Sequence, residues 1–394
     1  MSEWKKVKLG ECITTKKGFA FKSALYTPKG VPVVRVSDFT LNSITDKDLV
    51  YYPVSEYNNY KDYVLTEKDI LVQTVGSWQY NPNSVVGKVV RVPYYHQGSL
   101  LNQNIVKIIP IECIDKDYLY YRIKCVDFSG YVIGEARGAA NQASITLDTI
   151  KRFAFLLPPK DVQERIGATL SRYDSLIENY QKQIKLLEES AQRLYKEWFI
   201  DLRFPEHENT KIVDGVPEGW EKKPVDSIYS IKYGKNLSTK LISESGEFPV
   251  YGANGVIGYY DKANCNEQVV LITSRGNGSG DVLMTYHKDA FITNNSFIVS
   301  PLEDYSYCQL PFTYLFLKNA NFRAVRTGAA QPQLTNQSIH TVDVVLPSKD
   351  VIIDYCDKAS YNNKKIILLK NQIRLLTEAR DRLLPKLMSG EIKA

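Results

Sequence analysis

The stretch LLPPKDV, Leu156–Val162, has a near copy in VLPSKDV, Val345–Val351, with five of seven positions identical and an offset of 345 − 156 = 189 residues. The likeness extends outwards at that offset. Upstream, Ile145 matches Leu334, Ile150 matches Ile339 and Arg137 matches Arg326, with Thr327 inserted between RGAANQ and RTGAAQ. Downstream, Gln183-Ile184 matches Gln372-Ile373, Leu187 matches Leu376, and Arg193-Leu194 matches Arg382-Leu383. A front anchor, Trp4 then Gly18, recurs as Trp220 then Gly234 at an offset of 216. The chain therefore reads as two copies of one unit, and such a long period has to be recognised before any local motif. From Trp to the Pro after Leu, the first copy spans 158 − 4 = 154 residues and the second 347 − 220 = 127. The ends match and the middles do not.

After each LPxKDV segment comes a sustained apolar stripe. The first runs Ile166, Leu170, Tyr173, Ile177, Tyr180, Ile184, Leu187, Ala191, Leu194, Trp198, in alternating steps of four and three. Adding 189 gives Tyr355, Ala359, Asn362, Ile366, Leu369, Ile373, Leu376, Arg380, Leu383 and Leu387, with Asn362 and Arg380 as polar breaks. Steps of four and three mark a coiled-coil seam. A lone helix cannot bury such a seam, so the two helices are expected to pack against each other. Proline suits a first helical turn, whereas Pro385 is expected to kink or stop the second helix.

The bodies between these ends read as short strands and turns: VPVVRV (Val31–Val36), DILVQTV (Asp69–Val75), VVGKVVRV (Val85–Val92) and QVVLITS (Gln268–Ser274). Helices are expected over Lys116–Val126 and Gln309–Ala320. The fold class that follows is mixed α/β (α+β): two globular bodies of short strands separated by a long antiparallel two-helix coiled coil, with a pseudo-two-fold internal repeat. The bodies would then sit at opposite ends of a rigid spacer, a caliper suited to a long regular target such as duplex DNA.

Composition permits this without deciding it. The chain has 394 residues, 44% of them apolar, and a net charge of +6, a basic balance that many soluble proteins share. Its 27 tyrosines and many amides suit recognition surfaces. None of the six cysteines forms a CxxC pair or a zinc-spaced cluster, as expected of reduced cytosolic thiols. The four histidines, His96, His207, His287 and His340, are scattered and read as surface or turn residues.

Four polar loops combine Arg with amides and small residues: Gly76–Ser84, Glu135–Gln142, Ser274–Gly280 and Ala324–Gln333. Arg, Asn and Gln carry the forked geometry that reads base edges, although turns of this composition are common in any protein. The candidate DNA-binding residues are Trp78, Gln79, Tyr80, Asn81, Arg137, Asn141, Gln142, Arg275, Asn277, Ser279, Arg326, Gln331 and Gln333. Catalytic signatures are missing. The segment Gly276–Gly280 follows an apolar strand, but DVLMTYHK after it reads as another strand, so a hairpin turn replaces a dinucleotide loop. No Walker loop, HExxH or GxSxG occurs. Asn81-Pro82-Asn83-Ser84 begins like the Asn-Pro-Pro-aromatic loop of adenine methyltransferases but lacks the second Pro and the ring. No metal site is expected.

The whole chain resembles the specificity (S) subunit of type I restriction-modification systems. The resemblance is carried by the duplicated Trp/Gly front, by PVYGANGVIGYY (Pro249–Tyr260), by RGAANQ and RTGAAQPQ ahead of the LP motifs, and by EARDRLLPKLMSGEI (Glu378–Ile392). It implies target-recognition domains at 1–157 and 205–346, with helical regions at 158–204 and 347–394. Each recognition domain would read half of a bipartite asymmetric DNA site, and the coiled coil would set the spacer. Two methylation (M) subunits would dock on this frame, and two restriction (R) subunits would complete the assembly. The resemblance implies no catalysis and no bound cofactor in this chain, with S-adenosylmethionine, ATP and Mg²⁺ in the partners, and a cytoplasmic location. The alternative is a non-catalytic adaptor that spaces two protein-binding domains. One departure stands out: the family's pattern after the LP motif is present as Gln163-Glu164-Arg165-Ile166 but reads Ile352-Ile353-Asp354-Tyr355 in the second copy, which puts in question whether both helices present the same face to M.

Overall fold

A computed structural model describes residues 4–40, 42–78, 85–139, 142–328 and 331–393. The chain divides into two compact units, Met1–Ile177 with Leu376–Ala394, and Glu178–Leu375. Both cuts fall inside long helices, Lys160–Tyr195 and Lys349–Ser389.

In the first unit the front strand Lys5–Lys8 pairs antiparallel with Ala154–Leu157, Lys5 opposite Leu157. A four-stranded antiparallel sheet follows in the order Ile13–Lys17, Ile105–Pro110, Ile70–Gln73, Val89–Arg91. Every residue of Ile70–Gln73 is buried, so this strand is covered on both faces rather than alternating. A three-stranded sheet sets Val31–Val34 between antiparallel Val50–Tyr52 and parallel Leu100–Leu101. The helix expected over Lys116–Val126 is capped by Asp115 and stops at Lys124, because Cys125 is extended; a second helix, Val126–Glu135, then begins.

The second unit repeats these elements in the same order. Glu221–Pro224 pairs with Asp343–Leu346, Glu221 opposite Leu346. Its four-stranded sheet runs Tyr229–Tyr233, Ser296–Pro301, Val270–Thr273, Val282–Met284. Its three-stranded sheet sets Phe248–Gly252 between antiparallel Gly255–Tyr260 and parallel Phe291–Ile292. The helix Leu310–Asn319 lies where Gln309–Ala320 was expected. The two larger sheets thus correspond strand for strand, as two copies of one unit require although their sequences differ, while the first unit's third sheet is reduced to isolated bridges in the second. Topology needs only the burial pattern and the turn positions, not the same residues. Part of the length difference is local: 15 residues, 35–49, join the strands Val31–Val34 and Val50–Tyr52, where only Ala253-Asn254 join their counterparts.

The expected seam is formed, and no residue of either stripe is exposed. Within each unit the helices run antiparallel. In the first, Ile166 and Leu170 share a core with Leu387 and Met388, while Asp174 pairs with Arg380. In the second, Ile184 packs with Ile366 and Leu369, and Tyr195 and Trp198 pack on Tyr355. After Tyr195 one wide turn, Lys196–Ile200, turns both Trp198 and Phe199 inward.

Three expectations take a definite form. Of the kink or stop expected at Pro385, the stop does not occur, because the helix continues to Ser389. Proline inside a helix costs about 3 kcal/mol, but Leu387 and Met388 beyond it are buried, each worth roughly 1.5–3 kcal/mol. Of the surface or turn position expected for His96, the turn is found: it closes Tyr94–His96 and is fully buried, its ring bonded to Ser99 Oγ at 3.0 Å and Thr45 O at 2.8 Å. Finally, the Gln163/Ile352 departure is an interior one. Gln163 is buried, accepts from Asp115 N at 2.8 Å and donates to Pro158 O at 2.8 Å, while Ile352 is buried in apolar surroundings. Glu164 and Arg165, both exposed, have Ile353 and exposed Asp354 as counterparts, so the outer faces do differ there.

Each unit ties its helices to its body through a tyrosine and an ion pair across the helices. Tyr121 donates to Asp174 Oδ2 at 2.5 Å, and Arg380 Nη1 donates to Asp174 Oδ1 at 2.5 Å. Burial works against the Arg380 charge, yet the Asp174 carboxylate, and after it Asp381, together more than offset it and hold the guanidinium above its usual range. Burial, then Asp174, pushes the Tyr121 hydroxyl well up. In the second unit Lys370 sits 3.5 Å from the Tyr286 ring centre and 3.3 Å from Glu188 Oε1. The chain's two ends meet in the first unit, where Gly390 lies against the Trp4 ring and Ile392 packs on the core. All six cysteines are free. Among the described residues no helix is long and apolar enough to cross a membrane, and no cluster of His, Cys, Asp and Glu could hold a metal.

Candidate nucleic-acid interface

The four polar stretches converge in pairs, one pair per unit. In the first, Glu135–Gln142 is not a loop but part of a hairpin, Arg137–Ala139 with Gln142–Ser144. Its second strand, Gln142–Ser144, also pairs with Val75-Gly76, where the other polar stretch starts. In the second unit Thr327 and Gln333 exchange backbone hydrogen bonds at 2.9 Å, Arg275 bridges to Gln333, and Gly276 N donates to Pro332 O at 2.9 Å. The hairpin glycines correspond across the inserted Thr327. A Cβ on Gly138 would lie 2.0 Å from Gln142 O, and one on Gly328 would lie 2.5 Å from Gln331 O. Both also have positive φ, +154° and +85°, so both turns need the bare backbone.

The hairpins are anchored alike. Ile145 N donates to Thr74 O at 2.9 Å, and Leu334 N donates to Ser274 O at 2.8 Å. The polar segment 274–281 joins two antiparallel strands, Val270–Thr273 and Val282–Met284, which is the hairpin expected in place of a dinucleotide loop.

Arg137 and Gln142 are exposed on the first hairpin, as are Arg275, Asn277, Gln331 and Gln333 in the second unit. Arg326 is half-buried and pinned between its own segment and the neighbouring polar stretch, with Nε on Arg323 O at 3.1 Å and Nη1 on Asn277 O at 3.4 Å. Trp78 is half-buried against the core of its unit. Ser279 is buried, and its hydroxyl points to no partner among the described residues. Gln79, Tyr80, Asn81 and Asn141 lie outside the described residues. The seam residues Ile177, Ile184, Leu187, Leu194, Ile366, Ile373, Leu376 and Leu383 all lie on the shielded side of their helices.

Sequence reasoning missed the neighbours of these hairpins. Tyr233 closes the first strand of the second unit's large sheet, and its hydroxyl donates to Leu334 O at 3.4 Å at the hairpin base. Exposed Lys235 follows it, N donating to Ile292 O at 2.9 Å. Both flank Gly234, half of the duplicated front anchor, which was the available signal. Chemically, each unit offers guanidinium and amide forks on a short, backbone-fixed hairpin. The carboxylate beside the second hairpin, Asp281, is paired with Arg323 at 2.5 Å. Rigid forks beside flexible lysine suit recognition of a polar edge.

Two equivalent mixed α/β units, each with such a hairpin and its share of an antiparallel helix pair, define a duplicated recognition protein. The sequence profile of the type I restriction modification DNA specificity domain matches residues 1–189 and 217–367. The chain belongs to that family. It is 27% identical over 319 residues to the type I restriction enzyme MjaIX specificity subunit of Methanocaldococcus jannaschii, covering 74% of this chain and 72% of that protein. It is 23% identical over 349 residues to the HindI specificity subunit of Haemophilus influenzae, covering 66% and 73%. The crystal structure of the type I S subunit from M. genitalium shares the fold, with a TM-score of 0.59, 20% identity and coverage of 98% and 96%.

Proposed function

We propose that the chain is the non-catalytic DNA-reading subunit of a type I restriction-modification complex. Each unit reads one half of a bipartite, asymmetric site, and the helix pair fixes the gap between the halves. The observation that carries this reading is the duplicated hairpin, in which Arg and Gln side chains, Arg137 and Gln142 in one unit and Arg326, Gln331 and Gln333 in the other, stand on corresponding backbones. One such hairpin in each of two units is what a two-part site requires.

Lysine and arginine would neutralise phosphates and make affinity depend on salt. Hairpin side chains would discriminate bases at about 1–3 kcal/mol for each good bidentate pair. Two M subunits, holding S-adenosylmethionine, would dock along the helices, with two R subunits supplying ATP- and Mg²⁺-dependent steps in the cytoplasm. Support for docking comes from an exposed stripe on the second helix at seven-residue steps, Tyr361, Leu368 and Leu375. Adenine methylation takes the base out of the stack, and the partner's pocket would receive it.

The experiment is to express the chain with its M partner and sequence the methylated adenines. A two-part motif with a fixed gap is expected, changing in one half only when one unit is exchanged. A protein-binding adaptor instead predicts no motif and binding that barely responds to salt, and that result would reject the proposal.

A further inference from the structure

Beside each hairpin lies a tight turn rich in amides, Asn102–Ile105 in one unit and Thr293–Ser296 in the other. Each is closed by a backbone bond of 3.2 Å, from Ile105 N to Asn102 O and from Ser296 N to Thr293 O. The front-anchor glycine holds one side. Gly18 N donates to Ile105 O and Gly234 N to Ser296 O, both at 3.0 Å. The approach is so close that a Cβ would fall 1.9 Å from Asn102 O in the first unit and 2.3 Å from Thr293 O in the second. The hairpin's anchor holds the other side: Thr74 N donates to Asn104 O at 2.9 Å, and Ser274 N to Asn295 O at 2.8 Å. One residue, Thr74 or Ser274, therefore separates each turn from its hairpin.

At the corner of these turns stand Gln103, exposed, and Asn294, half-exposed. Neither side chain has a hydrogen bond to another described residue. Asn264 shows how a structural amide differs: its Nδ2 donates to Ile292 O at 2.9 Å and its Oδ1 accepts from Ile292 N at 2.7 Å. An amide on one solvated turn is unremarkable. An unused amide fork at the same corner of both units, on a backbone clamped from two sides, is held at a fixed place beside the hairpin with its donor and acceptor free for an outside ligand.

We propose that Gln103 and Asn294 are base-reading residues, each forming the paired hydrogen bonds of an amide with the N6 and N7 edge of an adenine in its own half-site. This deepens the reading of the chain as a DNA-specificity subunit and rests on it. The hairpin and the turn would then read neighbouring positions of one half-site.

The test is selection of bound sequences from random duplexes by the chain assembled with its M partner. Gln103→Ala and Asn294→Ala should each erase the preference at one adenine position by roughly 5- to 150-fold, in different half-sites. Gln103→Glu and Asn294→Asp keep the side-chain shape but replace the amide donor with an acceptor, so they should move that position towards cytosine, whose amino group donates. These isosteric variants keep the test decisive if an alanine variant folds poorly. An unchanged motif, or affinity lost equally at every position, overturns the assignment. If Arg137→Ala and Arg326→Ala alter the motif while the turn variants do not, the turn assignment falls and the DNA reading stands. A wild-type complex with no preferred sequence would overturn both.

Discussion

Asp174 is the acceptor on which the first unit's polar cluster depends. Replacing it with leucine leaves Arg380, whose side chain is 7% exposed, charged and paired only with the more exposed Asp381 of its own helix, at 2.7 Å. Breaking a buried pair costs about 3–5 kcal/mol, and the remaining Asp381 contact keeps this case at the lower end. Tyr121 also loses its 2.5 Å acceptor, a further cost of roughly 1–3 kcal/mol that overlaps with the first. The double variant Asp174→Leu/Arg380→Leu behaves differently. It removes both charges from an otherwise apolar seam, which is often neutral or stabilising by about 1–4 kcal/mol, so that only the Tyr121 loss remains; Tyr121→Phe in that background should recover it. A double-mutant cycle should therefore show a coupling of about 3 kcal/mol between the two positions. Urea unfolding followed by circular dichroism measures it, and hydrogen exchange of amides 160–177 isolates the first unit from the second. A single Asp174→Leu variant within about 0.5 kcal/mol of the wild type, or a double variant as unstable as the single, would refute the reasoning.

Gly18→Ala and Gly234→Ala should each lower the unfolding free energy by about 1–3 kcal/mol through overpacking against a carbonyl, read as a lower thermal midpoint. His287, bonded to Tyr251 at 2.9 Å, has its pKa lowered from 6.5 by burial and then by Arg374. The unfolded chain thus takes up the proton first, so the second unit's stability is fully present above about pH 6.5 and falls as the pH drops below it; His287→Gln should flatten that slope in acid titrations monitored by fluorescence. Inserting one heptad in each long helix should add about 10 Å and lengthen the methylation gap by about three base pairs. Half-sites altered while the gap stays constant would contradict the spacer role.

The architecture was legible wherever residues had to be alike. Leu157 and Leu346 repeat because each ends a strand opposite the front strand of its unit. Gly18 and Gly234 repeat because nothing larger fits. The stripes repeat because two helices must share a seam. The bodies were illegible as a repeat because strands such as Ile70–Gln73 and Val270–Thr273 need only be buried, a condition that many sequences meet. At the candidate interface, composition located the hairpins but not the side-chain directions: Ser279 looked equal to Asn277, and one is buried while the other is exposed. The amide turns escaped notice because LNQN and TNNS look like any polar corner until the clamping bonds are seen.

The first unit is assembled from residues before 178 and after 375, and this governs how the protein is made. On the ribosome the whole of the second unit emerges before Leu387 and Met388 exist to cover Ile166 and Leu170. A nascent chain must therefore leave one edge of the first core uncovered while the second unit emerges. Rare codons or a pause within the last helix would prolong that exposure, and chaperone capture should peak at this stage of synthesis.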